Sequence, residues 1–241
     1  MDEPGDKTKV RGSRRLKWRL ARLGVLALVI VAVTAFFWPR YGGNFGVLDP
    51  GLVYRSAQPD LELGRVARER ELASILNLRG GSPGDSWYAN EVRIAREQGV
   101  VFYDFPMSAV RRPTRSELLV LLDFFNRCRY PLLIHCKSGS DRTGLASALY
   151  LMVKKGVGPD EAEGAFSLAY RHVPMFGPEH LHEPIQEYSA WLSAHRLAHT
   201  PERFREWVER EYRSDPPDRK LAPLLPGPRA LAGMRSDAPV R

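Results

Sequence analysis

Leu132-Leu133-Ile134-His135-Cys136-Lys137-Ser138-Gly139-Ser140-Asp141-Arg142-Thr143-Gly144 is the stretch that decides how this chain is read. Pro131 opens it, and Leu132 to His135 form a short strand too apolar for a sheet edge. A helix is expected from Leu145 to Lys154. In α/β sheets the loop between a strand's C-terminal end and the next helix is where ligands bind. Successive backbone N–H groups there form a nest for an anion, and the helix dipole adds positive potential. Gly139 and Gly144 remove Cβ atoms where the backbone must turn closely around that anion.

Five residues separate Cys136 from Arg142 within this loop. A thiol among amide N–H groups, a helix N-terminus and a guanidinium sits in surroundings that favour the nucleophilic thiolate. Such a thiolate can attack phosphorus while Lys137, Ser138, Gly139, Ser140, Asp141 and Arg142 hold the phosphoryl oxygens. The planar fork of Arg142 can clasp two oxygens, which a lysine cannot imitate. The same contacts stabilise charge on the transferring group, the main task in phosphoryl transfer. His135 stands where it can orient Cys136, and Thr143 where it can hydrogen-bond the sulfur or assist water.

Outward from this loop, short apolar runs alternate with helical spacing. Strands are expected at Leu52–Arg55, Ser74–Leu78 and Val100–Phe105, and helices at Leu61–Leu72 and Trp87–Gln98. Thr114 caps a further helix, with Glu117 three residues on as a capping box. More helices follow at Asp160–Tyr170, Glu179–His195 and Pro201–Tyr212. Strands separated by helices predict an α/β fold, a central mostly parallel sheet flanked by helices. Residues 213–241 are Pro-rich with little periodicity, and a disordered tail is expected there.

The 241 residues carry 36 Lys and Arg against 28 Asp and Glu, and 44% are hydrophobic. That composition excludes wholesale disorder, a collagen-like repeat and a many-span membrane protein. Two cysteines exclude a disulfide scaffold and a four-cysteine zinc site. The net charge of +8 is concentrated in residues 1–22, a short arm rather than a stripe on a folded domain, which argues against nucleic-acid binding.

The arm precedes an uncharged apolar run, Leu23 to Trp38. It is read as a transmembrane anchor over residues 23–40, flanked by Trp18, Trp38 and Tyr41, in preference to a cleaved signal peptide or a buried helix. The basic excess before it predicts a cytoplasmic N-terminus on residues 1–22 and a single-pass protein whose catalytic domain lies on the outer, periplasmic or extracellular, side.

His135 to Gly144 resembles the signature loop of the cysteine-dependent protein tyrosine and dual-specificity phosphatase superfamily. Val53-Tyr54-Arg55-Ser56-Ala57-Gln58-Pro59 and Ile75-Leu76-Asn77-Leu78-Arg79 are similar to elements of an atypical dual-specificity branch found in bacteria, plants and fungi. The similarity runs from about Gly46 to His195, so a phosphatase domain is expected over 41–200, with residues 201–212 as an amphipathic helix beyond it. The resemblance implies a phosphocysteine on Cys136 that water hydrolyses, no metal or other cofactor, and a phosphorylated protein or small phosphoester as substrate.

One departure concerns the general acid. Many members carry an Asp between two prolines upstream, and Pro106-Met107-Ser108-Ala109-Val110-Arg111-Arg112-Pro113 has no carboxylate. Asp141, in the loop itself, is the preferred candidate, with Asp104 at a strand end as the second. An Asp-Arg-Thr ending resembles branches that often act on phosphoinositides, and Arg111 and Arg112 could attract a polyphosphorylated substrate. A phosphoinositide or inositol-phosphate phosphatase is therefore the alternative, followed by a catalytically silent phosphate-binding module and a persulfide-forming sulfurtransferase. Arg55, Ser56 and Gln58 are expected to brace the loop, and Trp87 to pack or to stack on a substrate ring. His172, His180 and His182 show no spacing for a metal, and Cys128 reads as a buried, inert thiol.

Overall fold

The computed structural model describes residues 18–31 and 43–214. The chain divides into two units, residues 1–39 and 40–241. In the first, residues 18–31 form a helix, α1. At 1.5 Å per residue the fourteen described residues of α1 account for about 21 Å of helical rise. Its first two turns also hold Arg19 and Arg22. Among the described residues no helix is long and apolar enough to cross a membrane. The expected anchor over 23–40, and with it the single-pass localisation, is corrected accordingly. Residues 1–17 and 32–42 lie outside the described residues, as does the tail from 215.

The second unit is built on five strands: β1 (Gly46–Asp49), β2 (Val53–Ser56), β3 (Ser74–Asn77), β4 (Val101–Asp104) and β5 (Leu132–His135), in the order β1-β2-β5-β3-β4. β2, β5, β3 and β4 run parallel, while β1 pairs antiparallel with β2. The sheet is thus mixed, with three of its four pairings parallel, and the part of the expected fold class that is corrected is the transmembrane helix. The turn at Asp49-Pro50-Gly51, where Gly51 has φ +76° and the Leu52 amide donates to the Asp49 carbonyl, folds β1 back as a hairpin.

Period-two alternation assigns the strands to two cores. Val53, Leu76, Val101, Tyr103, Leu132 and Ile134 face one side, and Tyr54, Ile75, Phe102 and Leu133 the other. Helices α2 (Leu63–Glu69) and α3 (Ser86–Glu97) cover the smaller core through Leu63, Val66 and Ile94. The larger core is closed by α4 (Arg115–Arg127), α5 (Asp141–Lys155), α6 (Pro159–Ala162), α7 (Glu183–His195) and α8 (Pro201–Arg210). Thr114 and Glu117 form the capping box of α4, each side chain accepting from the other's amide. Phe204, Trp207 and Val208 of α8 are buried in that core together with Tyr212.

The span expected as one helix over Asp160–Tyr170 is broken into α6 and two 3-10 turns, Glu163–Ala165 and Leu168–Tyr170. Gly164 weakens a helix there, and Ser167 is extended, with ψ 158°. Pro184 likewise divides the next span into a 3-10 turn, Pro178–Leu181, and α7.

Candidate active site

Register brings the C-terminal ends of the four parallel strands into one row. Ser56 pairs with His135, His135 with Asn77, and Asn77 with Asp104. β5 is the middle strand, so the loop it feeds emerges at the centre of the edge where α/β sheets bind ligands. α5 begins at Asp141, a full turn earlier than its apolar spacing suggests, and Asp141, Arg142 and Thr143 therefore belong to the helix's first turn. Ser140 is the N-cap, but its side chain caps nothing, which leaves the first-turn amides to other partners.

Cys136 is 1% exposed, and the Gly139 amide donates to its Sγ at 3.3 Å. Lys137 and Ser138 are exposed, while Gly139 and Ser140 are buried. The two glycines are required for different reasons. Gly139 has φ +70°, and a Cβ there would stand 2.5 Å from the Ala57 amide nitrogen. Gly144 faces Phe166, whose ring a Cβ would meet at 2.6 Å. One glycine lets the loop curl against the end of β2, and the other lets α5 approach the 3-10 segment.

Nη1 of Arg142 donates to the carbonyls of Leu78 at 3.1 Å and Met107 at 3.2 Å, tying the loops after β3 and β4 to α5. Its Nε is buried without a partner. Thr143 is fully buried, and its hydroxyl has no partner either, so the expected bond to Cys136 is not made in this state.

Arg55, expected to brace the loop, lies fully buried behind it. It donates to the Gly139 carbonyl at 2.9 Å and the Ala165 carbonyl at 2.7 Å, with the Tyr170 ring 3.7 Å from its guanidinium carbon. Burial pushes its pKa down to about 10, which leaves it charged at neutral pH. Asn44 donates to the carbonyls of Ser138 and Tyr170, and the Gln58 amide to that of Lys137.

Beneath the loop, His135 Nε2 stands 2.7 Å from Glu91 Oε1, with both side chains sealed from solvent. Gln58 donates to the other oxygen of Glu91 at 2.6 Å and accepts from Arg79 at 3.3 Å. Glu91 was not anticipated. Its signal was a carboxylate on the apolar stripe of α3, between Tyr88 and Ile94, where an unpaired charge would be costly.

The two acid candidates sit in different company. Asp104 accepts from Asn77 Nδ2 at 2.9 Å and the Tyr88 hydroxyl at 3.0 Å, and burial raises its pKa. Asp141 meets His172, with Oδ1 2.8 Å from Nδ1, and keeps part of its side chain exposed. Arg112, considered for substrate attraction, is instead a strut bound to Glu187, Glu183 and the Tyr212 hydroxyl. Arg111 reaches Glu117 at 3.5 Å. Trp87 lies under Arg79, its ring 3.6 Å from the guanidinium carbon. Cys128 and Cys136 are both free and buried, and burial raises the Cys128 pKa. Among the described residues, no three His, Cys, Asp or Glu side chains are grouped to hold a metal ion.

Comparison with known proteins adds the lineage. The inositol diphosphatase DSP1 of Oryza sativa subsp. japonica is 34% identical over 109 residues, 42% of this chain and 46% of that protein. The chain thus spans less than half the length of this curated relative. Among solved structures, TpbA of P. aeruginosa aligns with 70% of this chain and 99% of its own at 21% identity and a TM-score of 0.44. The catalytic core of the PP-IP phosphatase SIW14 of S. cerevisiae aligns with 64% and 93% at 20% identity and a TM-score of 0.48. The sequence profile of the tyrosine phosphatase family matches residues 90–212, a little over half of the sequence, and the chain belongs to that family of cysteine-dependent phosphatases.

Proposed function

We propose that this chain hydrolyses phosphomonoesters through a phosphocysteine formed on Cys136. The observation that carries this reading is the Gly139 amide directed at Cys136 Sγ at the mouth of α5, beside an Arg142 whose buried Nε has no partner. The sulfur attacks phosphorus, the S–P bond forms and the P–O bond to the leaving group breaks. The loop amides from Lys137 to Arg142 hold the phosphoryl oxygens, with the free edge of Arg142 closing on two of them. Asp141 gives its proton to the leaving oxygen and later takes one from the water that cleaves the S–P bond. His135 positions Cys136 through the adjoining backbone, and the unpartnered Thr143 hydroxyl is available to that water. Asp104, with two donors already on its carboxylate, is a brace for Asn77 and Tyr88.

A second reading concerns the substrate. The relative at 34% identity is named an inositol diphosphatase, which supports testing inositol phosphates and diphosphates beside phosphotyrosine peptide.

Cys136→Ser should bind inorganic phosphate as the wild type does while losing turnover of p-nitrophenyl phosphate by at least about 10³-fold, because a hydroxyl is not ionised there. Vanadate should inhibit the wild type. A Ser variant retaining most of the activity would overturn the mechanism. Phosphate release from the two substrate classes then ranks them.

A further inference from the structure

Asp141 begins a chain of four ionisable side chains. Its Oδ1 lies 2.8 Å from His172 Nδ1, His172 Nε2 lies 2.7 Å from His182 Nε2, and His182 Nδ1 lies 2.6 Å from Glu163 Oε1. Gln186 donates to the same Glu163 oxygen at 2.7 Å. Phe166 stacks on His182 at 4.0 Å between centroids and tilts against His172 at 4.9 Å, holding both rings in place. The His172 side chain is 3% exposed, while that of Glu163, at the far end, is 29% exposed. Neighbouring charges are engaged elsewhere: His180 with Glu183, Glu183 and Glu187 with Arg112, Glu179 with the Gly177 amide, and Arg55 with its two carbonyls.

Three hydrogen bonds between four bases hold three protons, one in each bond, and two of the possible placements matter here. In one, His172 donates to an Asp141 carboxylate, and a doubly protonated His182 donates to both His172 and Glu163. In the other, a protonated Asp141 donates to His172, His172 donates to His182, and a neutral His182 donates to Glu163. The two differ only by one-bond shifts of two protons, and the net charge of −1 is the same.

We propose that His172 and His182 are positioning residues forming a proton relay for Asp141, which rests on the reading of Asp141 as the acid. Before reaction, Oδ2 of Asp141 carries the catalytic proton, and His182 is the cation paired with Glu163. When the S–P bond forms and the P–O bond breaks, that proton goes to the leaving oxygen. Without a relay Asp141 would be left as an anion beside the phosphocysteine dianion. In the same step His182 passes its Nε2 proton to His172, and His172 passes its Nδ1 proton to Asp141 Oδ1. The negative charge thereby moves to Glu163, at the chain's outer end. In hydrolysis the attacking water gives a proton to Oδ2 while the two shifts reverse, so the cycle closes with no proton gained or lost.

The test compares phenyl phosphate, a poor leaving group, with p-nitrophenyl phosphate, a good one, using the full chain and Asp141→Asn, His172→Gln, His182→Gln and Glu163→Gln. Asp141→Asn should lose about 10²-fold in kcat on phenyl phosphate and little on the nitrophenyl ester, since an acid contributes about 10²–10⁴-fold. His172→Gln and His182→Gln should each lose about tenfold on phenyl phosphate alone, with KM unchanged. Wild-type kcat on phenyl phosphate should bow downward as D2O replaces H2O, the mark of more than one moving proton, and become linear in His182→Gln. Equal losses on both esters, or none, in a folded His182→Gln would overturn the relay while Asp141→Asn kept the acid assignment. If Asp141→Asn is not leaving-group selective, the acid assignment fails and the relay with it. Should His172→Gln not fold, the better exposed His182 and Glu163 variants decide the matter.

Discussion

A carboxylate and an imidazole meet at each end of the loop between β5 and α5, and the two meetings are built differently. At the loop's start, His135 and Glu91 face each other at 2.7 Å with 0% and 1% of their side chains exposed. At its end, Asp141 meets His172 at a similar distance, but the contact continues through His182 to a partly exposed Glu163. A sealed pair has no exchange with solvent and can serve only to hold geometry. A chain that ends near water can shift its protons and leave the net charge on a partly hydrated carboxylate. Burial, rather than residue type, separates an anchor from a conduit.

Removing a carboxylate from each end is the strongest test of this contrast. Glu91→Ala strands a buried imidazole and the Gln58 amide, and should cost about 3 kcal/mol of unfolding free energy in urea titration. Glu163→Ala, at a partly exposed site, should cost less than about 1 kcal/mol. Similar losses from the two would erase the distinction. Arg55→Met is of comparable size. It leaves the Gly139 and Ala165 carbonyls without their donor, at about 1–3 kcal/mol for each buried group left unpaired. Because Gly139 also donates to Cys136, kcat on p-nitrophenyl phosphate should fall about tenfold alongside stability. Lost stability with intact turnover would show that the loop holds its shape without Arg55.

Much of the centre was legible in the sequence because it is local. Strand, loop and helix follow one another within Leu132–Lys155, and Cys136 and Arg142 stand out there because His135, Gly139, Thr143 and Gly144 accompany them, not through their spacing alone. The edge was less legible. β1 is four residues long with one buried position, and its hairpin turn was the only strong cue. The apolar run after residue 22 pointed to an anchor through its hydropathy, but only residues 23–31 of it are described, and no described helix is long and apolar enough to cross a membrane. The relay was illegible for another reason. His172 and His182 lie on an excursion of 3-10 turns, without regular periodicity, and reach Asp141 from 31 and 41 positions away. Glu91 was equally remote from His135, although its place on an apolar helix face marked it as paired.

The smallest expected effect concerns Asp104, a carboxylate outside both contacts but near the sealed one. Burial raises its pKa, so the folded state holds this proton more firmly than the unfolded chain does. Its contribution to stability is therefore complete below the ordinary carboxylate range and is lost as pH rises through the raised value. Asp104→Asn removes that dependence while keeping a side chain of the same shape between Asn77 and Tyr88. The wild type's melting temperature, relative to the variant's, should be highest in acid and decline toward neutral pH. If the difference instead grows as pH rises, the bonds from Asn77 and Tyr88 to the ionised carboxylate outweigh its burial, and Asp104 belongs with the anchoring groups at the sealed end of the loop.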